Sequence, residues 1–228
     1  EQEARQRAEE QKEEYERKKE AWDHRPERRG GRPPVAPKEE PKAKAQRNFT
    51  DPDSRIMQDG ATKSMEQCEP IMPAVDQHSQ IVVAARVTQA PVDHRQLAPA
   101  VEKIKENTGG ALPKRLSADA GYWSEGNALS LERESIDGYL ASRKEKHTVE
   151  TPPPPRGPIP RRATVKERMQ RKLRTLRGRC TYSKRKEIVE PVFGQIKQVR
   201  GFRRFSLRGL HKVQAEWELI CLTHHLLK

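Results

Sequence analysis

The first 47 residues have too few apolar side chains to join a hydrophobic core. Residues 1–28 are almost entirely Glu, Gln, Lys, Arg and Ala, and no apolar stripe runs along them. We therefore expect an exposed charged helix over residues 1–29, without a lasting coiled coil. Residues 30–47 are rich in Pro and Gly, a composition typical of an extended, flexible linker. A core must come from residues 48–228, a length that suits one domain.

Short apolar runs alternate with helical patterns over residues 48–142, which we assign to the core. A β-branched run at residues 81–87 predicts a buried strand, and residues 114–118 and 138–141 predict two more. Apolar side chains at helical spacing predict helices at residues 93–107 and 124–133. This alternation predicts an α/β domain in which helices flank a mixed, partly parallel sheet.

Two segments before the first of these strands are rich in turn residues or proline. Residues 50–54 form a turn or cap cluster, and its acids are predicted to be structural rather than catalytic. Residues 64–73 contain Pro70 and Pro73, which are poor ladder residues because proline has no N–H to donate. The sequence leaves open whether residues 64–73 form a strand and whether the sheet is compromised.

The C-terminal part divides into an insertion and a helical end. Residues 143–180 are predicted to be a Pro-rich and basic insertion, with little structure of its own over 143–162. Residues 181–228 are predicted to contain two helices. Pro191 should kink the first helix or mark its first turns. The second presents one apolar face that we expect to be core, and we expect its neighbouring histidines, at 224 and 225, to be ordinary rather than metal ligands. That face contains Val213, Trp217, Ile220, Cys221 and His224.

Basic charge is concentrated in residues 161–212, which hold 18 Lys and Arg against three acids in a chain of net charge +13. Such a stretch is typical of a polyanion partner, although a solvated basic tail is the alternative. We favour nucleic acid over a membrane surface, because no run approaches the ~20 apolar residues that span a bilayer. No secretory signal is visible. Three widely spaced cysteines favour a reduced, cytosolic protein without a disulfide framework.

Two carboxylates stand out against this basic background. Asp119 ends a strand-like segment and is followed by a glycine turn, whereas Glu190 lies in a helix-like segment surrounded by Arg and Lys. Acids placed beside phosphate-binding cations suggest metal-assisted chemistry on a nucleic acid. A nearby aromatic, Trp123, either stacks on an unpaired base or packs after the turn, and we favour packing.

From about residue 44 onward the chain resembles the C-terminal part of a bacterial insertion-sequence transposase of the DDE class, a family with a ribonuclease-H-like fold. The resemblance rests on residues 48–57, 117–124 and, most specifically, 189–205. It implies that Asp119 is the second and Glu190 the third of three acids that hold two Mg²⁺ or Mn²⁺ ions. The implied reaction is cleavage of DNA at the element's end, followed by attack of the freed 3′-hydroxyl on target DNA.

One branch of this family has a signature of Tyr, two residues, Arg, three residues, Glu, six residues and Lys. Tyr182, Glu190 and Lys197 match it, while Arg185 and Lys186 share the remaining position. On a continuous helix Lys186, Glu190 and Lys197 would share one face, although a plain surface of salt bridges is the alternative. By resemblance, the DNA-contacting residues are Tyr182, Arg185, Lys186, Lys197, Arg200, Arg203 and Arg204.

The family's first acid lies on the first strand of its fold, and nothing in residues 1–47 resembles that strand. Asp76 precedes a predicted strand, but we interpret it as a turn residue. Because the chain also begins at Glu1 rather than Met, we expect a transposase fragment with an incomplete ribonuclease-H-like fold, inactive alone. The resemblance implies double-stranded DNA partners (transposon ends and target), a synaptic homodimer and a bacterial cytoplasm, near the nucleoid.

Two alternatives come from other classes of protein. The first is a non-enzymatic nucleic-acid-binding protein that uses only the basic stretch, and the role of Glu190 separates it from a transposase. The second and weaker alternative is an interaction scaffold built on the charged N-terminal helix.

Overall fold

The computed structural model describes residues 2–24, 33–36, 48–58, 63–89, 93–143 and 153–228, and the chain divides into two compact units, 1–47 and 48–228. The first unit contains helix α1 (Gln2–Asp23). Its described side chains are mostly exposed, and Lys18 pairs with Glu14 one turn away at 2.7 Å. The described part of the segment predicted as a charged helix is helical over Gln2–Asp23. Most of the predicted linker lies outside the described residues.

The second unit is a mixed α/β structure whose strands pair two by two. β1 with β2 and β3 with β4 are antiparallel, whereas β5 with β6 is parallel. The six strands are β1 (Arg55–Gln58), β2 (Met65–Cys68), β3 (Ile71–Val75), β4 (Val82–Val87), β5 (Arg115–Ala118) and β6 (Asp137–Leu140). Among the described residues these are three separate sheets, so the single mixed sheet that we predicted is not seen there. The ribonuclease-H-like assignment stays a prediction.

The segment with two prolines takes part in two strands. β2 ends before Pro70, and β3 contains Pro73, which pairs in register with Ala85 of β4. A two-stranded sheet tolerates proline because each strand has one edge that needs no ladder donor. The sequence left open whether residues 64–73 form a strand, and the structure shows strands at Met65–Cys68 and Ile71–Val75.

The helices of the second unit follow the predicted periodicities, with one addition. The long ones are α2 (Leu97–Asn107), α3 (Glu125–Arg133), α4 (Val165–Arg174), α5 (Leu176–Gly194) and α6 (Leu210–His225). Single-turn 3₁₀ helices at Asp93–Arg95 and Ala120–Tyr122 precede α2 and α3, and a π-helical segment, Gln195–Val199, continues α5. Pro191 lies inside α5, near its end.

Helix α4 and the first part of α5 lie within the predicted Pro-rich and basic insertion at residues 143–180. Thr164 caps α4 by accepting the Glu167 N–H, while the Glu167 carboxylate accepts the Thr164 N–H. This reciprocal capping box stabilises the first turn of a helix, and Met169 of α4 is buried. Residues 153–164, by contrast, contain no helix or strand, as we predicted for this Pro-rich part.

Two clusters of buried apolar side chains stabilise the second unit. One joins β4, the end of α5 and α6, and all five residues of the predicted α6 face are buried in the structure. The other joins α2, α3, β6 and α4, and Trp123 packs against it, which confirms the packing interpretation. The two α6 histidines bond to backbone: His225 Nε2 accepts the Val82 N–H at 3.0 Å, and His224 Nε2 lies 3.2 Å from Gln80 O. None of the described helices is both long and apolar enough to cross a bilayer.

Candidate nucleic-acid interface and acidic turn

Asp119 lies at the start of a short turn, Asp119–Tyr122, which we name the acidic turn. β5 delivers the residue, and its Oδ1 accepts the Gly121 N–H at 2.9 Å, which caps the 3₁₀ turn that follows. Its Oδ2 lies 4.0 Å from Arg185 Nη1 on α5, and half of its side chain is exposed. The predicted acid therefore has one oxygen committed to the backbone, while the other faces solvent and a cation.

A second carboxylate, Asp93, approaches the same turn. A Cβ built on Gly121 would lie 2.6 Å from Asp93 Oδ2 and 3.1 Å from Asp119 Oδ1. With both carboxylates in these positions, a side chain at residue 121 would force Asp93 to move. Burial of Tyr122 raises the pKa of its hydroxyl to about 12, and the negative charges of Asp93 and Asp119 add to that rise.

Asn127 ties these two parts of the chain together. Its side-chain amide donates to His94 O at 2.6 Å and to Tyr122 O at 2.7 Å, so it bridges the 3₁₀ turn of Asp93 and the acidic turn. Sequence reasoning missed Asp93, because its closeness to Asp119 depends on how the two turns pack. The glycine that follows Ala120 was the one local signal, since glycine often marks a close approach.

Glu190 lies on α5, which packs against β5 and β6, and its side chain is exposed. The residue of α5 that reaches Asp119 is Arg185. Asp119 follows β5 and Glu190 lies on α5, and these two elements contact each other. No contact between the two carboxylates is seen among the described residues.

Tyr182 and Arg185 form a pair on α5. The Arg185 guanidinium carbon lies 5.0 Å from the centre of the Tyr182 ring, a cation–π distance. Arg185 Nε is buried without a hydrogen-bond partner in the described structure. Arg185 is thus oriented by an aromatic ring and aimed at Asp119.

Lys186 and Lys197 are exposed, and Lys197 Nζ lies 5.0 Å from the centre of the Phe193 ring. The π-helical segment, Gln195–Val199, begins after Glu190 and contains Lys197. A π turn is wider than an α turn, so the face predicted for Lys186, Glu190 and Lys197 on a continuous α-helix is interrupted.

Of the three remaining residues predicted to contact DNA, one arginine is bonded to α6 and two are exposed. Arg200 donates to Ile220 O at 3.1 Å and also to Thr223 Oγ1, which ties it to α6. Arg203 and Arg204 lie exposed in residues 201–209, which we name the arginine loop. Arg203 bonds to Gln198 Oε1. Of the three, Arg203 and Arg204 are the better placed to meet a partner.

The acids of the 50–54 cluster have structural partners. Asp53 Oδ2 accepts the Leu210 N–H at 3.0 Å and thereby caps the N-terminus of α6, while Asp53 Oδ1 accepts from Gln89 at 3.0 Å. Asp76 accepts the His78 and Ser79 N–H groups of its own turn at 2.9 Å and 2.7 Å. Asp53 thus acts as a cap, and Asp76 lies in a turn as predicted.

Comparison with known proteins supports a relation for the C-terminal part. Residues 158–228 match a protein-family model described as a transposase DDE domain. No curated protein and no solved structure matches the chain significantly. The matched region contains Glu190 and the predicted DNA-contacting residues, whereas Asp119 lies outside it.

Transposase DDE domains generally use divalent metal ions, which carboxylate side chains would have to hold. No group of three or more His, Cys, Asp and Glu side chains is arranged to hold a metal within the described ranges. Asp119 is partly committed to Gly121 and faces Arg185. The carboxylates described here therefore do not by themselves fit a complete metal centre.

Proposed function

We propose that this chain is part of a DDE transposase and that its C-terminal region binds double-stranded DNA. The proposal is supported by the overlap of the family match with the basic part of the sequence. The family match covers residues 158–228, and the concentrated basic charge covers residues 161–212. A basic surface within a transposase domain is suited to the phosphates of a DNA partner.

The exposed cations of this region are the proposed phosphate contacts. Lys186, Lys197, Arg203 and Arg204 are all exposed. Each phosphate that they neutralise would release condensed counterions, which makes the affinity depend steeply on salt. Arg185 is proposed to act at the boundary between this surface and the acidic turn, since it lies 4.0 Å from Asp119.

We assign Asp119 and Glu190 as two acids of the DDE set, working with Mg²⁺ or Mn²⁺ in an insertion-sequence transposase that assembles as a synaptic dimer in the bacterial cytoplasm. Two acids are too few to hold two ions. On this proposal the chain alone binds DNA but does not cut it.

The test combines DNA binding with a nicking assay on supercoiled plasmid. The full chain should shift a short duplex, and Lys186→Gln with Lys197→Gln should weaken binding. Lys105→Gln, which removes an exposed lysine outside the basic region, should not. Failure of the full chain to bind DNA would contradict the proposed function. Strong metal-dependent nicking that Asp119→Asn abolishes would contradict its incomplete-site part.

A non-enzymatic DNA-binding protein is the second candidate, favoured by the exposed, unclustered position of Glu190 among the described residues. Glu190→Gln distinguishes the two. For a pure binder, removing an acid that repels phosphates should raise the affinity for DNA at every Mg²⁺ concentration. For a transposase site, the variant should lose any dependence of DNA binding on Mg²⁺.

A further inference from the structure

The arginine loop (residues 201–209) is exposed but anchored. It joins the π-helical segment to α6 and contains Arg203, Arg204 and Arg208 without any helix or strand. Such a loop would normally lose conformational entropy on binding a ligand. Here part of that order is already present in the free protein, because acceptors on α6 and in the loop itself hold its second half.

Glu216, on the second turn of α6, is the main anchor. Its carboxylate accepts the Ser206 N–H at 2.8 Å and 3.0 Å, one distance to each oxygen, and the Leu207 N–H at 2.9 Å. Hydrogen bonds from backbone N–H groups to a carboxylate are charge-assisted and stronger than neutral ones. Glu216 therefore fixes two successive peptide groups of the loop.

Two further residues, Arg208 and Asp53, hold the C-terminal end of the loop. Arg208 donates back to Phe205 O at 3.2 Å and Leu207 O at 3.0 Å, and Asp53 accepts the Leu210 N–H just after the loop. Phe205 packs against the core cluster that contains α6. The part of the loop that follows Arg204 is thus held, while Arg203 and Arg204 themselves stay exposed.

An acid beside a phosphate-binding surface is electrostatically unfavourable. Coulomb repulsion from Glu216 should lower the affinity for DNA, so a negative charge at this position needs another reason to be there. The bonds to Ser206 and Leu207 supply that reason.

We infer that Glu216 is a positioning residue for phosphate recognition, holding the arginine loop in the shape that presents Arg203 and Arg204 to DNA. This inference rests on the proposed DNA-binding function. It predicts an effect opposite in sign to simple electrostatics: removing this acid weakens DNA binding.

The experiment compares two neighbouring acids of α6 in the full chain. Glu216→Gln and Glu218→Gln each remove one negative charge, but the Glu218 carboxylate accepts from the side chain of Gln214 and not from the loop. Binding to a short random-sequence duplex is measured by fluorescence anisotropy at fixed salt. Glu218→Gln should bind as tightly as the parent or slightly more tightly. Glu216→Gln should bind roughly tenfold more weakly.

Hydrogen exchange shows whether the loop is the cause. In Glu216→Gln the Ser206 and Leu207 amides should exchange faster, while the amides of Ile220 and Cys221 keep their protection. Tighter or unchanged binding by Glu216→Gln would overturn the inference, and the parent's binding would still support the proposed function. Absence of binding by the parent would instead overturn the proposed function itself.

A second variant removes a donor from the loop side and alters no charge. Ser206→Pro lacks one N–H that Glu216 accepts, and it leaves α6 intact. If Glu216→Gln loses protection across α6, this variant decides the question. Weaker binding by Ser206→Pro supports the positioning role, and parent-like binding overturns it.

Discussion

The acidic turn and the arginine loop use carboxylates in two different ways. Around the loop, Glu216 accepts the Ser206 and Leu207 N–H groups and one Asp53 oxygen accepts the Leu210 N–H, so these acids shape the chain. In the acidic turn, Asp119 uses one oxygen for the Gly121 N–H and leaves the other facing Arg185 and solvent. Glu216 and Asp53 therefore stabilise the folded protein, whereas Asp119 keeps one oxygen free of backbone bonds.

The largest expected effect concerns α5, which carries Arg185 towards the acidic turn. Gly178 lies near the start of α5, where a Cβ would come within 2.0 Å of Lys172 O. Because that atom is backbone, Gly178→Ala should lower the free energy of unfolding by about 3 kcal/mol. Gly194→Ala is the matched control: it has no atom within 4 Å of the new Cβ and should be neutral or stabilising. Urea denaturation measures both, and equal stability of the two variants would contradict the tight α4–α5 junction.

A smaller effect on stability distinguishes the acids that bond to backbone N–H groups from Asp119. Asp53→Ala removes the cap of α6 and should lower the free energy of unfolding by about 1 kcal/mol. Asp119→Asn keeps an acceptor for Gly121 and should change it by less than about 0.5 kcal/mol. Urea denaturation of the two variants is the measurement. If Asp119→Asn destabilised the protein as much as Asp53→Ala, Asp119 would belong with the structural acids.

The smallest effect is a pH dependence near the arginine loop. Burial of Glu69, with the negative charges of Asp51 and Asp53, raises its carboxyl pKa from 4.5 to about 7; Arg208 opposes this and Glu216 adds to it. Between pH 4.5 and about pH 7, the Glu69 carboxyl therefore keeps its proton in the folded protein but has lost it in the unfolded chain. The stability from this proton is fully present below pH 4.5 and is lost as the pH rises to about 7.

The variant Glu69→Gln should remove this pH dependence. Its melting temperature should change less between pH 4.5 and pH 7 than that of the parent. Glu66→Gln, which replaces an exposed acid on β2, should keep the parent's profile. A Glu69→Gln profile that parallels the parent would show that Glu69 does not carry the effect.

Periodicity predicted the elements well where the apolar pattern was strong. The β-branched run gave β4, and the helical spacing gave α2, α3 and α6 with its buried face. Strand pairing was not predicted, because an apolar run says that a strand is buried but not which strand is its partner. Helix α4 was missed although its Thr164–Glu167 capping box was present in the sequence, since basic residues dominate the composition there.

The candidate sites were only half predictable. Asp119 stood out because a strand and a glycine turn flank it. Asp93 and Glu216 did not, because their importance depends on contacts between distant turns or on bonds to backbone. A single sequence shows the residue types but not which N–H groups a carboxylate will meet.

The most direct test of the account is the salt dependence of DNA binding by the full chain. The logarithm of the affinity should fall linearly with the logarithm of the salt concentration. Arg203→Gln with Arg204→Gln should reduce that slope by about 1 for each phosphate that the variant no longer neutralises, and Lys105→Gln should leave it unchanged. Binding that is independent of salt, or a slope that the two arginines do not affect, would contradict the assignment of the basic C-terminal region as the DNA-binding surface.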